Sequence, residues 1–464
     1  VLSVDASEQT YSAVALDLTD PDQPEGETNG SLLSQSEFTE FYIALPPQNF
    51  AKGCKLTFID TRNRYMGTLT SKPFNAARAQ FVTFRAGGGE KVFEYIADNA
   101  LIWQDTPRLL LHANRQAESP SGYDLTGGSD ANLANCYVIT PSMLAAHPDG
   151  LFCFPAKSPV QSGTVYWDDL LLDTNDYMVF TVDKTMARTG GNAVIGYLDP
   201  ATGLVKWSWH IWVVTDELFA KDQDYERQEG EQTLIYRMMD RNLGANDPTG
   251  SGDKSRSCLY QWGRKDPFYG GEKTETSANA FLEAKNGTVV NPAYPALDWA
   301  FSKSATTTDG AAANPMTFYN DKVGTGYNWL ASPNATLWGE AKTLNDPCPP
   351  GYRVPETGAW EDLISGRQYI DGVSVWDGTN YGMTYTHGEQ TAWYPAQGYR
   401  NYSSGAIVGL RSSTGGSGAY WSAETSSVKS YYLFFRSKLS SSGSINNELD
   451  MNRSYGYTVR CCKE

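Results

Sequence analysis

The residues with the most reactive side chains are four histidines and seven cysteines, and their spacing excludes most of the chemistry they are capable of. His112, His147, His210 and His387 are scattered. Cys54, Cys136, Cys153, Cys258, Cys348, Cys461 and Cys462 contain no CxxC pair, so a zinc site built from the usual Cys and His pairs is not expected. Asp247 and Asp253 flank a Gly/Ser/Thr loop with oxygen ligands close by, but two such aspartates are the ordinary make-up of a solvated turn. No HExxH, GxSxG or P-loop occurs, which leaves metalloprotease, serine-hydrolase and nucleotide chemistry without a motif. The expectation is a protein that is not an enzyme and carries no cofactor or metal.

Binding chemistry is better represented. The stretch from Gly366 to Trp393 holds Tyr369, Trp376, Asp377, Tyr381, Tyr385 and His387. Aromatic rings interleaved with Asp, Asn and His suit stacking on a sugar or a peptide, with the polar groups fixing orientation. The same rings could equally pack the loop against its own domain.

The elements that must position these residues are mostly strands. The chain has 464 residues, enough for two or three domains, with 13% aromatics and only 19% charged residues. Its many Gly and Tyr favour strands joined by turns. A net charge of −16 repels phosphate backbones, so nucleic acid is a poor partner. No run of eighteen apolar residues exists, so no transmembrane segment is expected. The chain starts at Val1, which reads as a trimmed N-terminus with any export signal outside it. The odd number of cysteines leaves at least one thiol free unless a second chain is involved; their spread fits an exported protein with one or two bridges.

Three segments follow from texture. Residues 1–88 alternate short apolar runs with turns: Phe38 to Leu45, Lys55 to Asp60 and Ala79 to Phe84 read as strands, and 20–30 as an acidic loop. Residues 89–231 form a second β-rich unit whose clearest element is a hairpin from Asn192 to Val214. On its return strand Val205, Trp207, Trp209, Ile211 and Val213 share one face, and Lys206, Ser208, His210 and Trp212 the other. That alternation is what the inner face of two packed sheets needs, although a Trp platform for sugar would look alike. The charged run 216–231 reads as a linker or a loose hairpin. Residues 232–464 are loop-rich, with a short helix expected near Glu356 to Ser365, Trp360 and Leu363 facing inward and Thr357 as its cap.

Five ordered phrases in this last segment carry a family resemblance: MMDRNLGA (238–245), YQWGRKDPF (260–268), NDPCPPGYRVP (345–355), GAYWSAE (418–424) and YTVRCCKE (457–464). Together they resemble the C-type-lectin-like domain of Bacteroidetes and Fibrobacter surface proteins, the "major paralogous" type. The resemblance implies an α+β domain with its ends clasped, Cys348 pairing with Cys461 or Cys462. Trp262, Arg264, Arg353, Trp360, Trp421 and Arg460 lie within or beside these phrases and read as scaffold, satisfying carbonyls and filling volume. The lectin calcium triplets EPN, QPD and WND are absent.

FYIALPP (41–47), ANCYVI (134–139) and NAVIGYLDPATGLVKWSWHIWV (192–213) resemble the fimbrillin-type β-sandwich domains of Bacteroides fimbrial proteins. The implied architecture is mainly β: tandem fimbrillin-like segments followed by an α+β, C-type-lectin-like domain. The implied function is a fimbrial tip adhesin at the outer-membrane surface. It would join other fimbrial subunits by strand addition and meet a host or bacterial glycan or protein. The alternative is a surface-anchored glycan-binding lipoprotein. The GYRVPETGAWEDL stretch and the final VRC also resemble formylglycine-generating oxidases, but a vicinal Cys461–Cys462 pair does not match the copper-holding cysteines of those enzymes.

Overall fold

Alternating apolar residues, Gly-rich turns and few helix formers give a chain that is mostly β, with several small sheets and a few one-turn helices. A computed structural model describes residues 2–6, 9–10, 48–50, 54–59, 65–70, 74–76, 94–96, 100–104, 111–116, 122–129, 133–147, 150–157, 160–161, 164–165, 177–182, 184, 186–198, 205–246, 248, 257–268, 270, 300–361, 363, 376–377, 379–387, 390–409, 416–436 and 445–464. The runs expected at Phe38 to Leu45 and Ala79 to Phe84, the loop 20–30, Asp247 and Asp253 lie outside the described residues.

The chain divides into two compact units, Val1–Asp98 and Asn99–Glu464. In the first, Leu2–Ala6, Cys54–Ile59, Tyr65–Thr70 and Glu94–Ile96 form the body of an antiparallel sheet, with Gln9–Thr10 at its edge. Cys54–Ile59 coincides with the strand read from period-two alternation at Lys55 to Asp60.

The second unit holds two four-stranded sheets in its N-terminal part. One runs Tyr123–Asp124, Leu151–Pro155, Tyr177–Val182, Leu111–Gln116; the other runs Cys136–Ile139, Val205–Val213, Gly191–Leu198, Ala100–Gln104. Gly191–Leu198 and Val205–Val213 are the expected hairpin, antiparallel from Gly191↔Val213 to Tyr197↔Trp207. Phe154 of the first sheet stacks on Tyr137 at 4.7 Å and meets Trp209 at 5.0 Å, so aromatic rings join the two sheets.

Val205–Val213 is buried on both faces, leaving only Lys206 partly accessible. Its second face is covered by the C-terminal half: the Thr308–Ala313 helix packs on it, and Trp212 shares a core with Met239, Leu243, Tyr260 and Trp262. Thr307 starts that helix, its Oγ1 accepting the Gly310 amide at 3.0 Å. The residues before and after 231 therefore share one hydrophobic core.

That junction is also polar. Ser208 Oγ donates to Asp266 Oδ1 at 2.7 Å, Lys265 pairs with the same carboxylate and donates to Ser208 O at 3.0 Å, and Lys265 Nζ sits 4.4 Å from the Trp207 ring. Asn135 Nδ2 donates to Asp346 O at 3.0 Å while Asn135 Oδ1 accepts from Trp207 Nε1 at 3.1 Å. His210 Nε2 meets Asn192 Oδ1 at 2.8 Å, and Asn192 Nδ2 donates to Gly244 O at 2.8 Å. Asn135, Asn192 and Ser208 each bond to a residue beyond 231, which offsets the cost of burying them.

Candidate functional site

A single carboxylate organises the phrase that carries the disulfide. Asp346 accepts the Cys348 amide at 2.8 Å and the Val354 amide at 2.9 Å, and Lys342 braces the turn by donating to Asp346 Oδ1 and Cys348 O. Cys348 so placed bonds to Cys461 across 113 residues of sequence. Cys462 is left a free, buried thiol, pushed up to about 12 by desolvation. Adjacent strand residues point to opposite faces: Cys461 enters the core with Trp262 and Trp421, Cys462 the separate core with Tyr225 and Trp360.

The arginines and tryptophans of the shared phrases hold up loops. Arg264 donates to Thr317 O, Asn314 O and Pro315 O, and burial pulls its pKa down. Trp262 Nε1 donates to Ser422 O at 2.8 Å and Trp421 Nε1 to Tyr260 O at 2.8 Å. Arg460 bonds Asn242 Oδ1 and lies 3.8 Å from the Tyr394 ring.

On this frame stand the residues picked out between 366 and 393. Trp376–Asp377, Gly382–His387 and Gln390–Pro395 form a three-stranded sheet that brings Trp376, Asp377 and Tyr385 together. Tyr385 is buried, its ring edge-on to Tyr225 at 5.1 Å, and Trp376 is half-buried against Phe435. Asp377 closes the turn: it accepts the Thr379 amide at 2.7 Å, the Asn380 amide at 3.0 Å and Asn380 Nδ2 at 2.7 Å. Burial would raise its pKa, but these hydrogen bonds outweigh it and hold the carboxyl below its ordinary value. Tyr381 occupies the left-handed region at φ 54° and its carbonyl accepts the Ala396 amide. Tyr369 and the His387 side chain lie outside the described residues.

A cleft of about 900 Å³ opens elsewhere on the same unit, lined by residues from well-separated stretches. One wall is the hairpin Gln223–Glu229 and Gln232–Met238, contributing Arg227, Glu229, Leu234 and Tyr236. The charged run 216–231 thus begins with a 3-10 turn, Leu218–Lys221, and continues as the first strand and turn of this hairpin, with Gly230 at φ 63° between the paired Glu229 and Gln232. Opposite stand Glu340, Glu356 with Thr357, Glu424, Tyr431 and Glu448. The short helix here is a 3-10 turn over Thr357–Trp360, with Trp360 and Leu363 buried as expected. Glu356, not Thr357, occupies the cap position, and Thr357 instead gives its amide and hydroxyl to Glu424.

The cleft is acidic. It has five glutamates against Arg227, which is turned back toward Tyr236 and Glu361. Glu356 is neutralised by Arg353 at 2.8 Å. Glu229, Glu340 and Glu448 make no ion pair among the described residues. Desolvation raises the Tyr236 phenol above its ordinary value, although its hydrogen bond from Arg227 works the other way. Carboxylates beside Tyr236 and Tyr431 give the cleft groups for hydrogen bonding and ring contact. Among the described residues no cluster of His, Cys, Asp and Glu could hold a metal ion.

Sequence reasoning did not find this cleft, since its glutamates are scattered from 229 to 448. The one signal was local: Tyr225, Arg227 and Glu229 alternate within the charged run, as one face of a strand does.

No protein-family model, curated protein or solved structure matches this chain.

Proposed function

We propose that this chain is a non-enzymatic, cell-surface fimbrial subunit, a tip adhesin whose C-terminal region binds a glycan or protein target through the glutamate-lined cleft. In this reading the paired sheets before 215 are fimbrillin-like sandwiches and residues 232–464 are a C-type-lectin-like domain. The earlier sandwiches join neighbouring subunits outside the cell, and the cleft faces outward.

The observation that carries the reading is where the five phrases of the resemblance come to lie. All five converge on one closed frame, Cys348–Cys461 included, and that frame supports an open cleft built from residues outside or at the margins of the phrases. A packed scaffold presenting loop and hairpin residues is the arrangement of a recognition module.

The test is binding of the full chain to glycan and protein arrays, alongside a triple variant Glu229→Gln, Glu340→Gln, Glu448→Gln. The expected result is a specific target whose signal falls at least tenfold in the variant. A target bound equally by both proteins would remove the cleft from the account.

A further inference from the structure

The strand Gln232–Met238 is matched in length by its hairpin partner but not by the two-residue strand on its other side. Gln232–Met238 pairs along its whole length with Gln223–Glu229, from Glu229↔Gln232 to Gln223↔Met238. On its other side it meets Cys462–Lys463 at one position only, Met238↔Cys462. From Gln232 to Arg237 no described residue pairs with that outer edge. Gln232, Thr233, Ile235 and Arg237 are exposed, and Ile235 is 61% exposed although it is apolar and β-branched. A run of unpaired backbone donors and acceptors with an exposed Ile is what sheets ordinarily avoid, because it templates another strand.

The two faces of this edge differ. Leu234 and Tyr236 point into the cleft, beside Glu229, Glu340 and Glu448; Thr233, Ile235 and Arg237 point to the opposite face. A strand laid along the edge would put alternate side chains on each face. Those on the cleft side would enter a cleft lined by carboxylates, and those on the other would lie beside Thr233, Ile235 and the Asp224-paired Arg237.

We infer that the cleft's ligand is an extended peptide segment of a partner protein, added as a strand to the Gln232–Arg237 edge and alternating basic with β-branched apolar side chains. Main-chain hydrogen bonds hold the segment; Lys or Arg at every second position select it. This rests on the reading of the cleft as the binding site and names the class of its ligand.

The experiment is fluorescence anisotropy of the full chain with a fluorescein-labelled octapeptide of alternating Lys and Val. Three comparisons accompany it: the same peptide N-methylated at alternate residues, an alternating Glu–Val octapeptide, and the Glu229→Gln, Glu340→Gln, Glu448→Gln protein. Saturable binding of the Lys–Val peptide is expected, weakened at least tenfold by N-methylation and by the triple variant, weakened by raising salt from 50 to 500 mM, and absent for Glu–Val. Hydrogen exchange should slow at amides within 232–237 on peptide addition. Equal affinity for the N-methylated peptide would overturn strand addition, and no Lys–Val binding would overturn the inference. If the arrays meanwhile return a glycan lost in the triple variant, the cleft stands as the site and only the peptide assignment falls.

Discussion

His210 shows what a buried polar residue on a strand is for. It lies within a run of tryptophans, wholly buried, with Asn192 as partner, and desolvation pushes its pKa down to about 3. The folded state therefore favours neutral imidazole, and the unfolded chain binds the proton first. Stability from this group is complete above its ordinary pKa near 6.5 and is lost as pH falls toward 3, at about 1.4 kcal/mol per unit. Urea midpoints measured from pH 7 to pH 5 should fall accordingly, and His210→Gln should flatten that slope; an unchanged slope would show that other groups set it. Lys265 and Asp266 are a sharper case. Burial lowers the lysine's pKa, and the ion pair with Asp266 opposes that shift without cancelling it. Asp266→Asn should cost about 3–5 kcal/mol by stranding Lys265, and Lys265→Met with Asp266→Leu should recover part of that, as chemical denaturation would report. The sequence made Ser208 and His210 legible as one strand face, but not as a buried one, because their partners Asp266, Asn192 and Tyr260 are read only in three dimensions.

At the scale of elements, local periodicity is enough where a strand or turn buries one face. The 191–213 hairpin, the strand at 54–59 and the inward Trp360 and Leu363 follow from periodicity. The charged run before 231 was harder: exposed strands lack apolar alternation, and only Gly230 marks the turn. The choice of Cys461 over Cys462 depends on which core each side chain enters, and two adjacent residues give no local hint of that. Replacing Cys348 and Cys461 together by Ser should lower stability by up to ~5 kcal/mol on the chain-entropy argument for a loop of this length, with a matching fall in Tm under reductant. Cys462→Ser should leave the disulfide intact in a non-reducing peptide map. Loss of the Cys348 bridge in that variant, or a map of the unsubstituted chain joining Cys348 to Cys462, would reverse the assignment.

At the scale of the whole molecule, the main departure from the sequence view is the junction at 231. Texture changes there from β-rich to loop-rich, yet Val205–Val213 is buried by both halves, and Asn135, Ser208 and Asn192 bond across. Composition records how a segment is built and is silent about what covers it. Residues 99–464 should consequently melt in one calorimetric transition, with calorimetric and van't Hoff enthalpies agreeing. Two separate transitions would make the shared core a mere contact. A single body also means that force or tethering on the earlier sheets reaches the cleft hairpin through packed side chains and not through a flexible linker, which suits an adhesin.

As the fimbrial tip subunit we propose, this protein would sit at the end of a fibre with its cleft outward. Immunogold electron microscopy on producing cells, with antibody against residues 232–464, reads that position. Gold at fibre ends is expected; gold scattered over the cell body, with none on fibres, would overturn the proposal.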